Sequence, residues 1–212
     1  MESEPFGEDP NGTREAIMRA TYRALCEHGY AALTIADIGA EFDKSVSLVY
    51  HHYEGKDDLL VDFLGYMLDR FRTEVAIENS EDPREQLRAA LVGVRTGPLA
   101  ADRREFTSAL TELRAQAAHD PAFRDQIEKT DAFFHERIAD IVRAGIEQGV
   151  FRDVDPDRVA TMMVTTVNGA MLTHVTTDTP VTPALDELDA YVESRLVVEE
   201  GEGGGGGGED GS

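Results

Sequence analysis

The sequence is poor in cysteine and in long apolar runs. A single cysteine, Cys26, excludes an intramolecular disulfide and any zinc site built from several thiolates. The most apolar stretch, residues 159–175, is interrupted by Asn168, His174 and threonines, and it is shorter than the roughly 20 apolar residues of a membrane span. The acidic N-terminus has no basic region followed by an apolar run, unlike a signal peptide. We therefore expect a cytoplasmic protein without a membrane partner or a cofactor.

Positive charge is also scarce. The chain has 42 acidic and 20 basic residues, a net charge of −22, and its lysines are Lys44, Lys56 and Lys129. A dispersed acidic surface that is poor in lysine favours a halophilic source, because such a surface keeps a protein hydrated in concentrated salt; an ordinary acidic cytosolic protein is the alternative. On either interpretation the charge argues against nucleic-acid binding, since surfaces that neutralise phosphates are usually basic.

The pattern of apolar residues predicts an all-α fold. Helical spacing dominates and strand alternation is absent over most of the chain, while Gly and Pro separate the periodic segments. Thr13 is the predicted N-cap of a first helix that stops at Gly29 and whose apolar face is Ile17, Ala20, Ala24 and Leu25. A capping box at Thr34 and Asp37 starts a helix of two turns. The further predicted helices are 46–53 with Ser45 as N-cap, 56–77, 83–95, 103–118, 121–148, 156–176 and 184–198, with residues 176–183 as a loop.

The short second and third helices must pack on the first, because helices of this length do not persist alone. Their apolar faces are Leu33, Ile35 and Ile38 in one, and Val46, Val49 and either Tyr50 or Tyr53 in the other. The outer face of the third helix is then exposed, with Ser45, Ser47, Leu48, His51 and His52. Small hydroxyls, imidazoles and apolar groups can contact base edges and phosphates in a major groove. This pattern indicates a helix-turn-helix.

The helix-turn-helix region contains two motifs, Gly29-Tyr30-x-x-Leu33-Thr34-Ile35-x-x-Ile38 and Ser45-x-x-x-Val49-Tyr50-His51-His52-Tyr53-x-x-Lys56-x-x-Leu59. Together they resemble the DNA-binding segment of the TetR/AcrR family of regulators. The resemblance covers residues 13 to about 64. A later stretch, with Leu113-Arg114-Ala115, Asp120-Pro121, Phe123-Arg124 and Gly145-x-x-x-Gly149-Val150-Phe151, is similar to the C-terminal ligand-binding and dimerisation half of family members. The sequence departs from the family at Asp43-Lys44, where the turn usually has a glycine, and at Gly39, where alanine is common.

The resemblance implies a sequence-specific transcriptional regulator and not an enzyme. The implied DNA-binding residues are Thr34, Lys44, Ser45, Val46, Ser47, Leu48, Tyr50, His51, Tyr53 and Lys56. Thr34, Lys56 and either Tyr53 or His52 would position phosphates, and the helix from Ser45 to Tyr53 would read bases. We expect Lys44, Lys56 and the arginines of the first helix to form a basic rim with acids facing away.

The remainder of the chain is implied to sense a ligand and to dimerise. The expected divisions are an acidic arm (1–12), the helix-turn-helix domain (13–56), the effector and dimerisation domain (57–198) and a disordered acidic, glycine-rich tail (199–212). The predicted pocket for a small apolar or amphipathic effector is lined by Phe106, Leu110, Leu113, Phe133, Phe134, Met162 and Met163. The predicted homodimer, which would bind a pseudo-palindromic operator, uses the apolar faces of the last two helices, Val159, Met162, Met163, Val167, Met171, Leu185, Leu188 and Val192. These pocket and interface residues can equally be ordinary core.

Two rival functions remain at this point. An enzyme would need a site that the sequence does not display, since there is no phosphate loop, Gly-x-Ser-x-Gly turn or close His/Glu motif. No metal is expected, because His28, His119, His135 and His174 have no second His or Cys at i, i+4 spacing, the pairing that zinc sites favour. A helical dimer that senses a ligand or binds a partner without reading DNA is the second rival. The expected regulator is a repressor released by its effector.

Overall fold

A computed structural model describes residues 12–42, 46–77 and 80–198, and these residues are helical with short connections. The helices are α1 (Thr13–Ala32), α2 (Ile35–Ala40), α3 (Val46–His52), α4 (Lys56–Ile77), α5 (Pro83–Thr96), α6 (Arg104–Gln116), α7 (Pro121–Glu147), α8 (Pro156–Thr176) and α9 (Thr182–Tyr191). A 3₁₀ turn, Ala101–Arg103, precedes α6, and a π-helical turn, Val192–Leu196, follows α9. The all-α prediction is confirmed.

Asp-Pro pairs start three of the helices. Asp82, Asp120 and Asp155 each accept a hydrogen bond from the backbone amide two residues further on, at 2.8, 2.7 and 3.1 Å. The proline that follows each of them is the first helical residue, where its missing N–H would have no helical acceptor. These local signals therefore fix the starts of α5, α7 and α8.

The capping box before α2 is also present. The Thr34 hydroxyl accepts a hydrogen bond from the Asp37 amide at 3.3 Å, and the Asp37 carboxylate accepts one from the Thr34 amide at 2.8 Å. The Thr34 hydroxyl also donates to the Asp37 carboxylate at 2.6 Å, and this bond together with the one from the Thr34 amide lowers the pKa of Asp37 below its ordinary value. The predicted cap at Thr13 is wrong, because α1 begins at Thr13 and Gly12 occupies the N-cap position without a side-chain bond.

The C-terminal end differs from the prediction. The predicted loop 176–183 ends earlier, because α9 begins at Thr182 with Pro183 in its first turn. The predicted helix to residue 198 also changes form after Tyr191. There the Leu196 carbonyl accepts from Arg152 N at 2.8 Å, and Val198 N donates to the Val150 carbonyl at 3.0 Å, next to an antiparallel bridge between Phe151 and Val197. These long-range bonds replace helical ones.

Some predictions lie outside the described residues. They are the acidic arm up to residue 11, the turn at Asp43-Lys44, the cap at Ser45 and the tail 199–212.

The first apolar core joins the N-terminal helices to the rest of the molecule. Its buried members come from α1, α2, α3, α4, α6 and α7, and the Tyr22 ring lies 4.8 Å from the Phe106 ring between centroids. The predicted apolar faces of α1 (Ile17, Ala20, Ala24, Leu25) and α2 (Leu33, Ile35, Ile38) are all buried in it. A second core lies among α5, α7, α8 and α9 and includes Leu87, Val142 and Met163.

Gly39 allows α2 and α3 to pack closely. A Cβ atom built on Gly39 would collide with the Val46 side chain, chiefly with Cγ2. Val46 is therefore packed against α2, and the departure from alanine at this position has a steric reason.

We predict that Gly39→Ala destabilises the protein by about 1–3 kcal/mol, since overpacking outweighs the gain of about 1 kcal/mol in helix propensity. Gly93→Ala is the matched control, because Gly93 lies within α5 with nothing within 4 Å of its added Cβ. That variant should gain about 0.5–1 kcal/mol. Chemical denaturation measures both changes, and equal stabilisation by the two substitutions would contradict the steric account.

Candidate nucleic-acid interface

The exposed side of α3 is defined by one buried residue and its neighbours. Val49 is fully buried, whereas Tyr50 is 61% exposed and Ser47, His51 and His52 are also exposed. The sequence left Tyr50 and Tyr53 as alternatives for the inner face, and the structure places Tyr53 there. Tyr50, the most exposed large apolar residue of the described chain, is free to contact a partner.

Two other residues predicted to bind DNA are partly withdrawn. Val46 and Leu48 are partly buried and pack against the first core. Val46 is held by its contact with Gly39, which leaves only part of its surface for DNA. Lys44 and Ser45 lie outside the described residues.

Tyr53 belongs to a polar cluster that joins α1 to α4. Its hydroxyl donates to Asp62 Oδ2 at 2.6 Å, and Arg14 donates to the two oxygens of Asp62 at 3.1 and 2.5 Å. Burial and the hydrogen bond to Asp62 raise the pKa of Tyr53 well above its ordinary value. Burial alone would raise the pKa of Asp62, but the hydrogen bonds from Arg14 and Tyr53 lower it overall. The predicted phosphate contact at Tyr53 is thus already occupied by a carboxylate.

Lys56, the other predicted phosphate contact in α4, is also engaged within the protein. Its Nζ donates to the Tyr30 carbonyl at 2.9 Å and lies 4.3 Å from the centroid of the Tyr30 ring. Asp57 accepts from the Tyr30 hydroxyl at 3.1 Å, and Asp58 accepts from the Glu54 amide at 3.0 Å. Both aspartates are exposed beside Lys56, so the start of α4 is not the purely basic rim that we expected.

Thr34 remains at the N-terminus of α2, exposed and engaged in its capping box. The amide groups of a helix N-terminus favour a phosphate nearby, which is why Thr34 was predicted to position one. Phosphate binding at Thr34 stays a prediction.

The predicted effector residues are divided between two apolar cores. Phe106 and Leu113 are buried in the first core, with Leu110 packed against it, while Met163 is buried in the second core with Met162 beside it. Their buried side chains expose almost no surface on which a ligand could rest. Phe133 and Phe134 are only half-buried, and their rings meet edge-on. Phe134 also meets Phe71 edge-on, with the two ring centroids 5.9 Å apart. Helical spacing identified buried faces but not which faces meet.

The predicted dimer residues are likewise core residues of one subunit. Val159, Met163, Leu188 and Val192 are buried in the second core, and Met162 and Val167 pack on it; Leu185 is buried in a third cluster with Met171 beside it. The alternative stated for them, intramolecular packing, is the one that the structure shows.

A polar contact between α1 and α6 was not predicted from the sequence. Glu112 on α6 accepts a hydrogen bond from the Tyr30 amide at 2.8 Å. These residues are 82 positions apart in the sequence, and no local sequence pattern predicts a contact between them.

Other kinds of site find no support among the described residues. Within ranges 12–42, 46–77 and 80–198, no group of three His, Cys, Asp or Glu residues could hold a metal ion. In the same part of the chain, no helix is both long and apolar enough to cross a membrane.

We predict that Tyr53 contributes to stability and Tyr50 does not. Tyr53→Phe removes a hydrogen bond to a charged, partly exposed group and should cost about 1 kcal/mol. Because the pKa of Asp62 is lowered in the folded state, its contribution is present above the ordinary carboxyl pKa and is lost as pH falls through the folded value. The cost of Tyr53→Phe should therefore shrink in acid.

Tyr50→Ala is the comparison for this experiment, since most of the Tyr50 side chain is in solvent. Thermal unfolding between neutral and acidic pH measures both variants. A loss of stability for Tyr50→Ala as large as that for Tyr53→Phe would contradict the assignment of inner and outer faces.

The arrangement of a capped α2, a short α3 with an exposed outer face and a larger helical domain defines a class, the helix-turn-helix transcriptional regulators. The family of bacterial regulatory proteins, TetR family, matches residues 17–63, and the BetI-type transcriptional repressor C-terminal family matches residues 83–197. The chain belongs to the TetR family and is a DNA-binding transcriptional regulator, not an enzyme.

Individual relatives agree with this assignment. The chain is 35% identical to a TetR transcription regulator from Haloarcula marismortui, whose crystal structure matches with a TM-score of 0.79 over 86% of this chain and 97% of that one. A putative transcriptional regulator from Saccharomonospora viridis, solved in complex with choline, is 25% identical with a TM-score of 0.73 over 88% and 98% of the two chains. The HTH-type transcriptional repressor AcnR from Corynebacterium glutamicum is 26% identical over 77% of this chain and 82% of its own. Such relatives support a repressor.

Proposed function

We propose that the protein is a homodimeric repressor that reads a pseudo-palindromic operator with α3 and is released by a small ligand. The observation that supports this best is the outer face of α3, where Ser47, Tyr50 and His51 are exposed while Val49 anchors the helix in the core. Their hydroxyl, aromatic and imidazole groups suit hydrogen bonding to base edges and contact with thymine methyl groups.

The acidic composition determines how this contact works. A net charge of −22 repels DNA at low salt. At about 1 M salt the Debye length falls to about 3 Å, so the repulsion and most of the gain from counterion release disappear. We infer that the protein acts in concentrated salt, where short-range hydrogen bonds and apolar contacts decide binding.

The operator experiment uses fluorescence anisotropy at high KCl, with DNA from upstream of the protein's own gene and a scrambled duplex. We predict selective binding that Tyr50→Ala abolishes. Lys56→Ala should weaken binding to both duplexes by similar factors, because a phosphate contact does not depend on sequence.

Equal binding of the wild-type protein to both duplexes would leave the operator elsewhere in the genome. A genome-wide pull-down that also recovers no enriched sequence would refute operator binding. It would favour the rival reading, a helical dimer that senses a ligand without reading DNA.

The dimer is expected to form through α8. An uncharged stripe of exposed residues runs along this helix, formed by Thr161, Thr165, Gly169, Leu172 and Thr176. The spacing of three and four residues places them on one face, and a neutral stripe on so acidic a protein is suited to contact with a second copy. Two copies can then present two α3 helices to half-sites about 34–36 Å apart.

We predict that Leu172→Asp dissociates the dimer, because a symmetric contact would then bury one unpaired carboxylate from each copy. Val92→Asp is the matched control, since Val92 on α5 and Leu172 on α8 are both 51% exposed. Sedimentation equilibrium measures the masses. Dissociation by Val92→Asp alone would place the interface on α5 instead.

The effector is proposed to bind beside the half-buried aromatic rings of α4 and α7. Phe133 and Phe134 have centroids 5.2 Å apart, and the Arg72 guanidinium lies 5.4 Å from the Phe133 centroid. A ring face that accepts one cation can accept another. The relative from Saccharomonospora viridis binds choline, which makes choline the first ligand to add to the operator complex.

A further inference from the structure

A break in α1 makes one backbone amide available to the opposite domain. Gly29 has φ +65° and ψ 168°, a conformation that favours glycine, and it interrupts the regular helix. The next amide, that of Tyr30, donates to Glu112 Oε2 on α6 at 2.8 Å. A Cβ atom on Gly29 would lie 3.4 Å from both Glu112 carboxylate oxygens, so the approach is also close.

Tyr30 then connects this bond to the start of α4. Its carbonyl accepts from Lys56 Nζ at 2.9 Å, and its ring lies under the same ammonium group. Its hydroxyl donates to Asp57 at 3.1 Å, and its ring meets Phe123 of α7 edge-on at 6.3 Å. One residue therefore contacts α4, α6 and α7.

The start of α4 in turn sets the position of α3. Only Tyr53, Glu54 and Gly55 separate the end of α3 at His52 from Lys56. So short a connection transmits a displacement of Lys56 to the recognition helix, whereas apolar packing alone tolerates small slides of one surface over another.

We propose that Glu112 is a positioning residue for DNA binding: through the Tyr30 amide it fixes Lys56 and the first turn of α4, and with them the orientation of α3. This inference rests on the proposed operator binding. It gives α6 a polar link to the DNA-binding helices besides the apolar contact of Phe106 with Tyr22.

The experiment compares Glu112→Ala, which removes the acceptor, with Glu112→Gln, which retains a carbonyl oxygen. Glu105→Ala is the matched control, because Glu105 is an exposed acid on the same helix. Affinity is measured by anisotropy on the upstream duplex. We expect Glu112→Ala to weaken binding roughly tenfold, as a lost hydrogen bond of about 1.4 kcal/mol would do. Glu112→Gln and Glu105→Ala should stay within about threefold of wild type.

A double-mutant cycle with Lys56→Met tests the route. If Glu112 acts through Lys56, Glu112→Ala should change affinity less than about twofold in the Lys56→Met background. Additive losses, or no loss for Lys56→Met alone, would overturn the proposal.

Amide exchange of the free protein gives a readout that does not need DNA. Glu112→Ala should accelerate exchange at Tyr30 and in the first turn of α4 at least tenfold, while the exchange of α8 stays unchanged. Faster exchange in the variant, together with no operator binding by the wild-type protein, would refute the proposed function but not the link from Glu112 through Tyr30 to α4. Unchanged exchange at Tyr30 would refute the link from Glu112 through Tyr30 to α4.

Discussion

The position of α3 depends on the apolar core that α1 shares with α4, α6 and α7. A helix of seven residues cannot fix its own orientation, and α3 has one fully buried anchor, Val49. That anchor lies in the same cluster as Phe106, Leu113 and Phe123 of the C-terminal half. The boundary expected after residue 56 is thus not a boundary in packing, and a strain in α6 or α7 acts on the same core that supports the DNA-binding helices.

Polar contacts add direction to this packing. Apolar burial stabilises the two halves against each other but depends little on small changes of angle. A hydrogen bond weakens steeply when its donor–hydrogen–acceptor angle decreases. The Tyr53–Asp62 and Tyr30–Glu112 bonds therefore fix the relative orientation of the helices they join more narrowly than apolar packing does. The first bond involves Tyr53, at the start of the short segment between α3 and α4. The second involves Tyr30, which contacts Lys56 at the other end of that segment.

The sequence predicts local structure well and long-range partners poorly, for a physical reason. Caps and Asp-Pro pairs act within a few residues, so the starts of α2, α5, α7 and α8 and the bounds of α4 at Lys56 and Ile77 were correct. Helical spacing identified the buried faces of α1 and α2, but it contains no information about which faces meet. The expected pocket and dimer residues were therefore divided between cores of one subunit, and the pairs Arg14–Asp62 and Tyr30–Glu112, 48 and 82 residues apart, were missed.

The conflict between an acidic chain and DNA is reduced by how the arginines are used. Arg14, Arg95, Arg114 and Arg143 all form ion pairs with aspartates of the same chain. Such arginines are partly neutralised, so a binding mode based on many phosphate contacts does not suit this surface. Exposed pairs are worth little, and concentrated salt screens them further. Neutral groups on a well-positioned α3 lose less under the same conditions, because hydrogen bonds and apolar contacts act at short range. On the proposed mode of binding, specificity depends on the geometry of α3 more than on charge, which makes the contacts that orient α3, Tyr53–Asp62 and Tyr30–Glu112, the sensitive part of the molecule.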